Sequence, residues 1–309
     1  MSRTQNDCLT SERDGLPLPL LVCLPDGEAR AVVQFSHGMC ENKERYAPFM
    51  AFLAEQGYAC VIGDHRGHGA AARERGELGY FGEDGANALV DDLAQITRWA
   101  QARFPEKRIY MFGHSMGSLA AHAYAARFDR ELSGLILSGS PSRNPAVPVG
   151  LLLARLLGAL RGGRRRGKLL KILTFGPFYR AFAHEGGKCA WICSDRAVVD
   201  AYEADPLCGF TFTYNGFEAL YRLMQQAYDR RAKAQNPALP VWFISGSDDP
   251  CRRGDEGFAD AVARMRARGY ARVESRVYTG MHHEILNERE RDIVYRDVLA
   301  WLDAREAEA

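Results

Sequence analysis

GHSMG, residues 113–117, lies between a β-branched and aromatic run at 109–112 and a helix-like segment at 118–127. A serine at the centre of such a strand-to-helix turn projects its hydroxyl above a sheet. The flanking glycines permit the tight backbone and the close approach of helix to strand. Ser115 is therefore the candidate nucleophile. A neutral hydroxyl attacks poorly, so this reading requires a general base and a carboxylate to orient it. Two downstream segments supply them: VWFISGSDDP at 241–250 and VYTGMHHE at 277–284 each begin as an apolar strand-like run and end in a polar loop. Serine, acid, histidine is the chain order in which a nucleophile elbow meets its partners. In each loop two neighbours compete for the role, Asp248 with Asp249 and His282 with His283, and the residues alone leave both choices open.

Outward from the elbow, apolar runs predict strands at 16–24, 31–36, 58–63 and 134–138. Helices are predicted at 43–56 and at 86–103, where Leu89, Leu93, Ile96 and Ala100 recur at helical spacing. Alternating strands and helices predict the α/β class, a mostly parallel sheet with helices on both faces. The carboxyl ends of its strands line one crevice, which is how a serine, an acid and a histidine far apart in sequence meet. The alternation stops near Ser140 and resumes at Leu239. Helix-like and aromatic-rich pieces broken by Gly and Pro fill the interval and predict an inserted, mainly helical cap over the strand ends. The expected division is core at 1–140, cap at 141–237 and core again at 238–309.

A chain of 309 residues with 47% hydrophobic content can bury one large core plus a modest insertion. Its net charge of +1 supplies no general attraction to nucleic acid, which is excluded as a partner. The polar opening MSRTQNDCLTSERDG has no signal-peptide core, and no run approaches the ~20 apolar residues that span a bilayer, so a cytoplasmic protein is expected. Eight scattered cysteines without a CxxC pair predict free thiols, with Cys251 a structural thiol near the acid loop. His37, His65 and His68 lack metal-ligand spacing and sit largely in glycine-rich turns, so a catalytic metal is not expected. LLLARLLGALRGGRRRGKLLKIL, 151–173, mixes leucines with cations. It is expected to be a cap helix with a solvated basic face, and peripheral contact with an anionic membrane surface is the alternative. Phe175, Phe178, Phe182, Phe212, Tyr214, Phe217 and Tyr221 are candidates for an acyl pocket. No motif specifies an oligomeric state.

Together these segments resemble the monoglyceride lipase and lysophospholipase branch of the α/β-hydrolase superfamily. SHGMCENKERY at 36–46 is similar to the family's strand end, oxyanion loop and following helix, and GDHRGHG at 63–69 to its next strand end. GHSMGS is similar to the elbow, SGSDDP to the acid loop, GMHHEILNE at 280–288 to the histidine loop, and WICSDRAVVDAYEADPLCGF at 191–210 to the cap of bacterial members. The resemblance implies Ser115 as nucleophile, Asp249 rather than Asp248 as acid, and His283 rather than His282 as base. It also implies the backbone N–H groups of Met39 and Met116 as the substrate-binding oxyanion donors. Asp248 is then expected to bond the loop backbone, and His282 to face solvent or the pocket rim. Asn42, Ala70 and Ser118 depart from the family pattern in loop detail. The implied activity is cofactor-free hydrolysis of single-chain acyl esters, monoacylglycerols or lysophospholipids, through an acyl-enzyme. The alternatives are an aminopeptidase or another esterase on the same scaffold, and a non-catalytic ligand-binding protein that keeps the fold. An epoxide hydrolase or dehalogenase would need a carboxylate where Ser115 stands.

Overall fold

The computed structural model describes residues 2–308. Eight strands form one sheet: β1 (Arg3–Thr10), β2 (Pro17–Leu24), β3 (Ala31–Ser36), β4 (Tyr58–Gly63), β5 (Ile109–His114), β6 (Gly134–Ser138), β7 (Val241–Gly246) and β8 (Val273–Tyr278). Their order is β1-β2-β4-β3-β5-β6-β7-β8. The pairings of β2 with β1 and β4 are antiparallel and the others parallel. The helices are α1 (Ala47–Glu55), α2 (Gly69–Glu74), α3 (Gly85–Arg103), α4 (Met116–Phe128), α5 (Val147–Arg161), α6 (Lys168–Ala181), α7 (Arg196–Ala204), α8 (Tyr214–Ala227), α9 (Gly254–Ala267) and α10 (Arg291–Ala307).

Every residue of β3, β4, β5 and β7 is buried, as parallel strands covered on both faces require. The pleat still sorts them. Val32, Met111, Leu135 and Phe243 join the core formed with α3, α4, α8 and α9, whereas Val33, Tyr110, Phe112 and Ile136 join the core formed with α1 and α10. Gln34 is buried among them without loss, because its amide donates to the Leu93 carbonyl at 2.9 Å and accepts from the Thr97 hydroxyl at 2.7 Å.

The predicted strands and helices of the sheet layer are present. One strand lies outside the sequence reading: β1, whose residues are exposed or half-buried along the sheet edge. Its antiparallel register with β2 fixes it, from Arg3 opposite Leu24 to Thr10 opposite Pro17. An edge strand with a wet face carries no apolar signature to read. The helix expected over 43–56 divides into a 3₁₀ turn, Lys43–Tyr46, and α1, which has proline in its first turn. All eight cysteines are free, and among the described residues no helix is long and apolar enough to cross a membrane.

Helices α5–α8 lie between β6 and β7. They do not form a body with a core of its own. Thr213 caps α8 by accepting from the Gly216 amide, and Phe212, Phe217, Leu220 and Leu223 pack in the same core as α3, α4 and the sheet. Among the described residues of this insertion, Ile192, Cys193, Val199, Tyr202 and Cys208, around α7, make a separate small cluster. The cations expected to be solvated on 151–173, Arg155, Arg161, Arg165 and Lys168 among them, are exposed, but the segment is two helices joined by a turn and leucines of both are exposed as well. Leu152, Leu156 and Leu160 of α5 and Leu169, Ile172 and Leu173 of α6 are exposed. Two further exposed arginines also bond the protein: Arg164 pairs with Glu77 over the ring of Tyr80, and Arg166 donates to the Leu78 and Thr211 carbonyls.

Because α8 shares the sheet's core, Phe217→Ala is expected to destabilise the whole protein by about 3–5 kcal/mol, within a single denaturant transition. A separate early transition for α5–α8, with the sheet left at wild-type stability, would contradict this packing.

Candidate active site

Ser115 is the hinge between β5 and α4. It is a non-glycine residue at φ 52°, ψ −119°, a strained conformation held only where the surroundings over-determine it. Its amide donates to the Ser138 carbonyl of β6 at 2.9 Å, and its carbonyl accepts from the Ser118 hydroxyl at 2.6 Å. Gly117 lets the start of α4 lie against the end of β3, since a Cβ there would overlap the Ser36 and His37 carbonyls. Gly246, at the end of β7, meets the Met281 and His282 carbonyls in the same way and so lets the histidine loop rest on the acid loop.

These close approaches bring together three side chains from the ends of β5, β7 and β8. The Ser115 hydroxyl is 2.8 Å from His283 Nε2, and His283 Nδ1 is 2.9 Å from Asp249 Oδ1. The Asp249 carboxylate also accepts from the Cys251 amide at 2.8 Å and the Ser245 hydroxyl at 2.9 Å. Burial alone would push Asp249 up, but the imidazole and these donors outweigh it and hold the carboxyl below its ordinary value. Burial likewise disfavours charge on His283. The adjacent Asp249, helped by Cys251, prevails and holds His283 well above its ordinary value. The arrangement is a hydroxyl aimed at an imidazole that can take its proton once deprotonated itself, with a buried carboxylate to stabilise the resulting cation.

Met116 is the first residue of α4, so its N–H has no intrahelical acceptor. Met39 follows Gly38 in the loop after β3, and both methionines line the cavity that contains Ser115. A buried ion cluster shapes that loop. Glu41 accepts from the Gly38 amide at 2.5 Å, the Tyr46 hydroxyl at 2.9 Å and Arg45 at 2.7 Å. Arg45 also grips both oxygens of Glu284, the residue after His283, at 2.7 and 2.5 Å. Burial pushes the Glu284 carboxyl up, but Arg45 overrides it and draws the group below its ordinary value. Burial raises Glu41 against the pull of the same arginine. One guanidinium thus ties the loop carrying Met39 to the loop carrying His283.

The cavity has a volume of ≈ 280 Å³. Leu119, Leu173, Phe175, Phe178, Leu220 and Met224 give it an apolar part, and Cys40, Lys171, Tyr179, Cys189 and Tyr202 a more polar one. Of the seven candidate pocket aromatics, Phe175 and Phe178 line it. Phe212, Tyr214, Phe217 and Tyr221 are core residues of α8 and its approach, and Phe182 packs on His282 instead. Trp191, Tyr179, Tyr202 and Phe210 take the vacated places. His37, His65 and His68 are buried and bonded within their turns: His37 accepts from the His65 amide at 2.9 Å, and His68 accepts from the Cys40 amide at 3.1 Å. Asp249, Cys251 and His283 offer donor atoms within 4.8 Å of one another, but the Asp249 and His283 atoms already serve their mutual bond.

A family profile described as serine aminopeptidase S33 matches residues 27–290. The chain belongs to this family of hydrolases. It is 27% identical over 306 residues to the monoacylglycerol lipase of Mycolicibacterium smegmatis, with 98% of each chain covered. It is 24% identical over 290 residues to the monoglyceride lipase of Homo sapiens, covering 92% of this chain and 86% of that one. Among solved structures it is similar to a highly thermostable carboxyl esterase from Bacillus coagulans, with a TM-score of 0.89, 27% identity and coverage of 98% and 99%. These likenesses put it in the monoglyceride lipase and lysophospholipase branch of the α/β-hydrolase superfamily, among carboxylic ester hydrolases.

Within this family site, Ser115, Asp249 and His283 meet as a bonded set, and Asp248 and His282 stand outside it. Asp248 is exposed and accepts from the Ser247 hydroxyl, not from the loop backbone. His282 is buried, not solvent-facing: its Nδ1 is 3.1 Å from the Ala190 carbonyl and its ring lies against Phe182. The Glu41–Arg45–Glu284 cluster was missed by the sequence reading. Its only local signals are the i,i+4 spacing of Glu41 and Arg45 and the place of Glu284 beside His283.

With Asp249 prevailing over burial, the imidazole of His283 is expected to titrate above 6.5 and to lose its proton only as pH rises through that higher value. Asp249→Asn should move the titration downward, read from ¹⁵N shifts of the histidine ring. An unmoved titration would show that the carboxylate does not set the charge of His283.

Proposed function

We propose that this chain hydrolyses the carboxylic esters of single acyl chains, monoacylglycerols or lysophospholipids, through an acyl-enzyme on Ser115. The observation that carries this reading is the continuous relay from Asp249 through His283 to the Ser115 hydroxyl, at the wall of a largely apolar cavity. As the Ser115 oxygen attacks the ester carbonyl, its proton passes to His283 Nε2. The Met39 and Met116 N–H groups then receive the negative charge that develops on the carbonyl oxygen. Collapse of the tetrahedral intermediate breaks the bond to the alcohol, which leaves with the proton from His283. Water, deprotonated by the same imidazole, then releases the acid. No cofactor takes part in this sequence. Residues 141–237 act as the cap, with α6 and the segment before α7 supplying much of the acyl wall.

An aminopeptidase would have to hold a substrate ammonium, which calls for an uncommitted carboxylate. The two carboxylates on the cavity wall, Glu41 and Glu284, are both bound to Arg45. This favours an ester substrate over an aminoacyl amide.

The exposed leucines of α5 and α6, beside the exposed Arg161, Arg165 and Lys168, suit an anionic lipid surface: apolar side chains enter the interface while the cations meet the headgroups. This supports peripheral docking through the cap as part of the proposal. Co-sedimentation with phosphatidylglycerol vesicles is expected at low salt and should weaken at high salt. Absence of co-sedimentation at low salt would remove the docking surface.

The substrate reading is tested by a monoester series from acetyl to palmitoyl. With each buried CH₂ worth up to ~0.8 kcal/mol, kcat/KM should climb severalfold with every few carbons until the chain outgrows the cavity. Ser115→Ala should lower kcat by roughly 10⁴- to 10⁶-fold across the series. A profile that is flat or falling from acetyl would contradict a lipid substrate.

A further inference from the structure

Two cations line the cavity that holds Ser115, Arg253 and Lys171. Arg253 is exposed, whereas Lys171 of α6 is half-buried in the more polar part, with Cys40, Tyr179, Cys189, Tyr202 and Gly209. The Lys171 ammonium donates to the Gly209 carbonyl at 2.8 Å, and among the described residues it has no carboxylate partner. The groups that share its part of the cavity are neutral at physiological pH. Burial pushes the Cys189 thiol up to about 11, and it drives the Cys40 thiol and the Tyr179 and Tyr202 phenols well above their ordinary values. The nearby acids do not bond it either: Glu41 and Glu284 are held by Arg45, and Glu203 accepts from the Cys189 amide. An ammonium has three donors; one is satisfied here, by a neutral carbonyl, and among the described residues no carboxylate bonds the other two. A partly dry cavity with such a cation attracts an anion more strongly than water-exposed lysine does.

We propose that Lys171 recognises an anionic headgroup, a phosphate ester on the alcohol side of the scissile bond, so that the preferred substrates are lysophospholipids with an accessible phosphate rather than neutral monoacylglycerols. This rests on the serine-esterase reading above. The apolar side chains Leu119, Leu173, Phe175, Leu220 and Met224 suit the acyl chain, which leaves the polar part for the alcohol and its substituent. Lys171 also supports the site's shape. Its bond to Gly209 continues through the Gly209 amide to the Cys40 carbonyl at 3.0 Å, which also accepts from the Tyr202 hydroxyl at 2.8 Å. An anion on Lys171 therefore sits one loop away from the Met39 N–H.

The test compares octanoylglycerol with octanoylglycerophosphate, both below their micelle concentrations, by the ratio of their kcat/KM values in one enzyme preparation. The wild type should favour the phosphate ester by roughly tenfold, mainly through KM. Lys171→Met should bring the ratio near one, Lys171→Arg should keep it and Lys171→Glu should invert it. A loss of both activities in parallel, with the ratio unmoved, would mean that Lys171 only supports the loop and would overturn the headgroup site. Inhibition by free octanoate that weakens in Lys171→Met while the ratio stays fixed would assign the anion to the product carboxylate and would also overturn it. Wild-type protein that hydrolyses neither ester would sink the serine-esterase reading and this site with it.

Discussion

The backbone of Ser115 is the constraint from which the site follows. A non-glycine residue at φ 52° survives only because the turn is held from several sides: by the Ser138 carbonyl, by the Ser118 hydroxyl and by the contact of Gly117 with the end of β3. Each of these ties also brings in another strand end. The Gly117 contact places the Met39 loop beside the serine, and the bond to Ser138 joins the elbow to β6, next to β7 and its acid loop. A straighter β5–α4 junction would separate the hydroxyl from both its oxyanion donors and its base.

Charge is arranged with equal economy. Asp249 and His283 are both buried, and each is costly to ionise alone. Together they satisfy one another, with Ser245 and the Cys251 amide occupying the remaining acceptor sites of the carboxylate. Arg45 does for the loops what Asp249 does for the imidazole. Its bonds to Glu41 and Glu284 fix the relative place of the Met39 and His283 loops. Buried ion clusters of this kind add little net stability, because desolvation offsets attraction, but this one links the two loops in a single arrangement. That arrangement sets the distance between the proton acceptor and the oxyanion donors.

The parts of this molecule that follow from local rules were legible in the sequence. The elbow, the parallel strands and the chain order of serine, acid and histidine all leave marks in residue type and spacing. The choice of Asp249 and His283 over their neighbours came from family resemblance, since adjacent residues at a strand end differ only in where the loop turns them. Long-range pairing was not legible. Glu41 and Glu284 lie 243 positions apart and meet only through Arg45. The cavity lining was half legible for the same reason: Phe217 and Tyr221 have the composition of pocket residues, but α8 turns that face to the sheet, and Trp191 and Tyr202 arrive from a segment without helical periodicity across its length. The edge strand β1 was invisible because its register with β2, not its own residues, makes it a strand.

The central claim is that Ser115 is a nucleophile made reactive by His283. Labelling the protein with a fluorophosphonate and mapping the adduct by peptide mass spectrometry tests it directly, because the reagent forms a stable bond only with an activated hydroxyl. The account predicts one adduct, on Ser115, absent from Ser115→Ala and strongly reduced in His283→Ala. An adduct elsewhere in the cavity, or labelling of Ser115 that persists unchanged without His283, would contradict it.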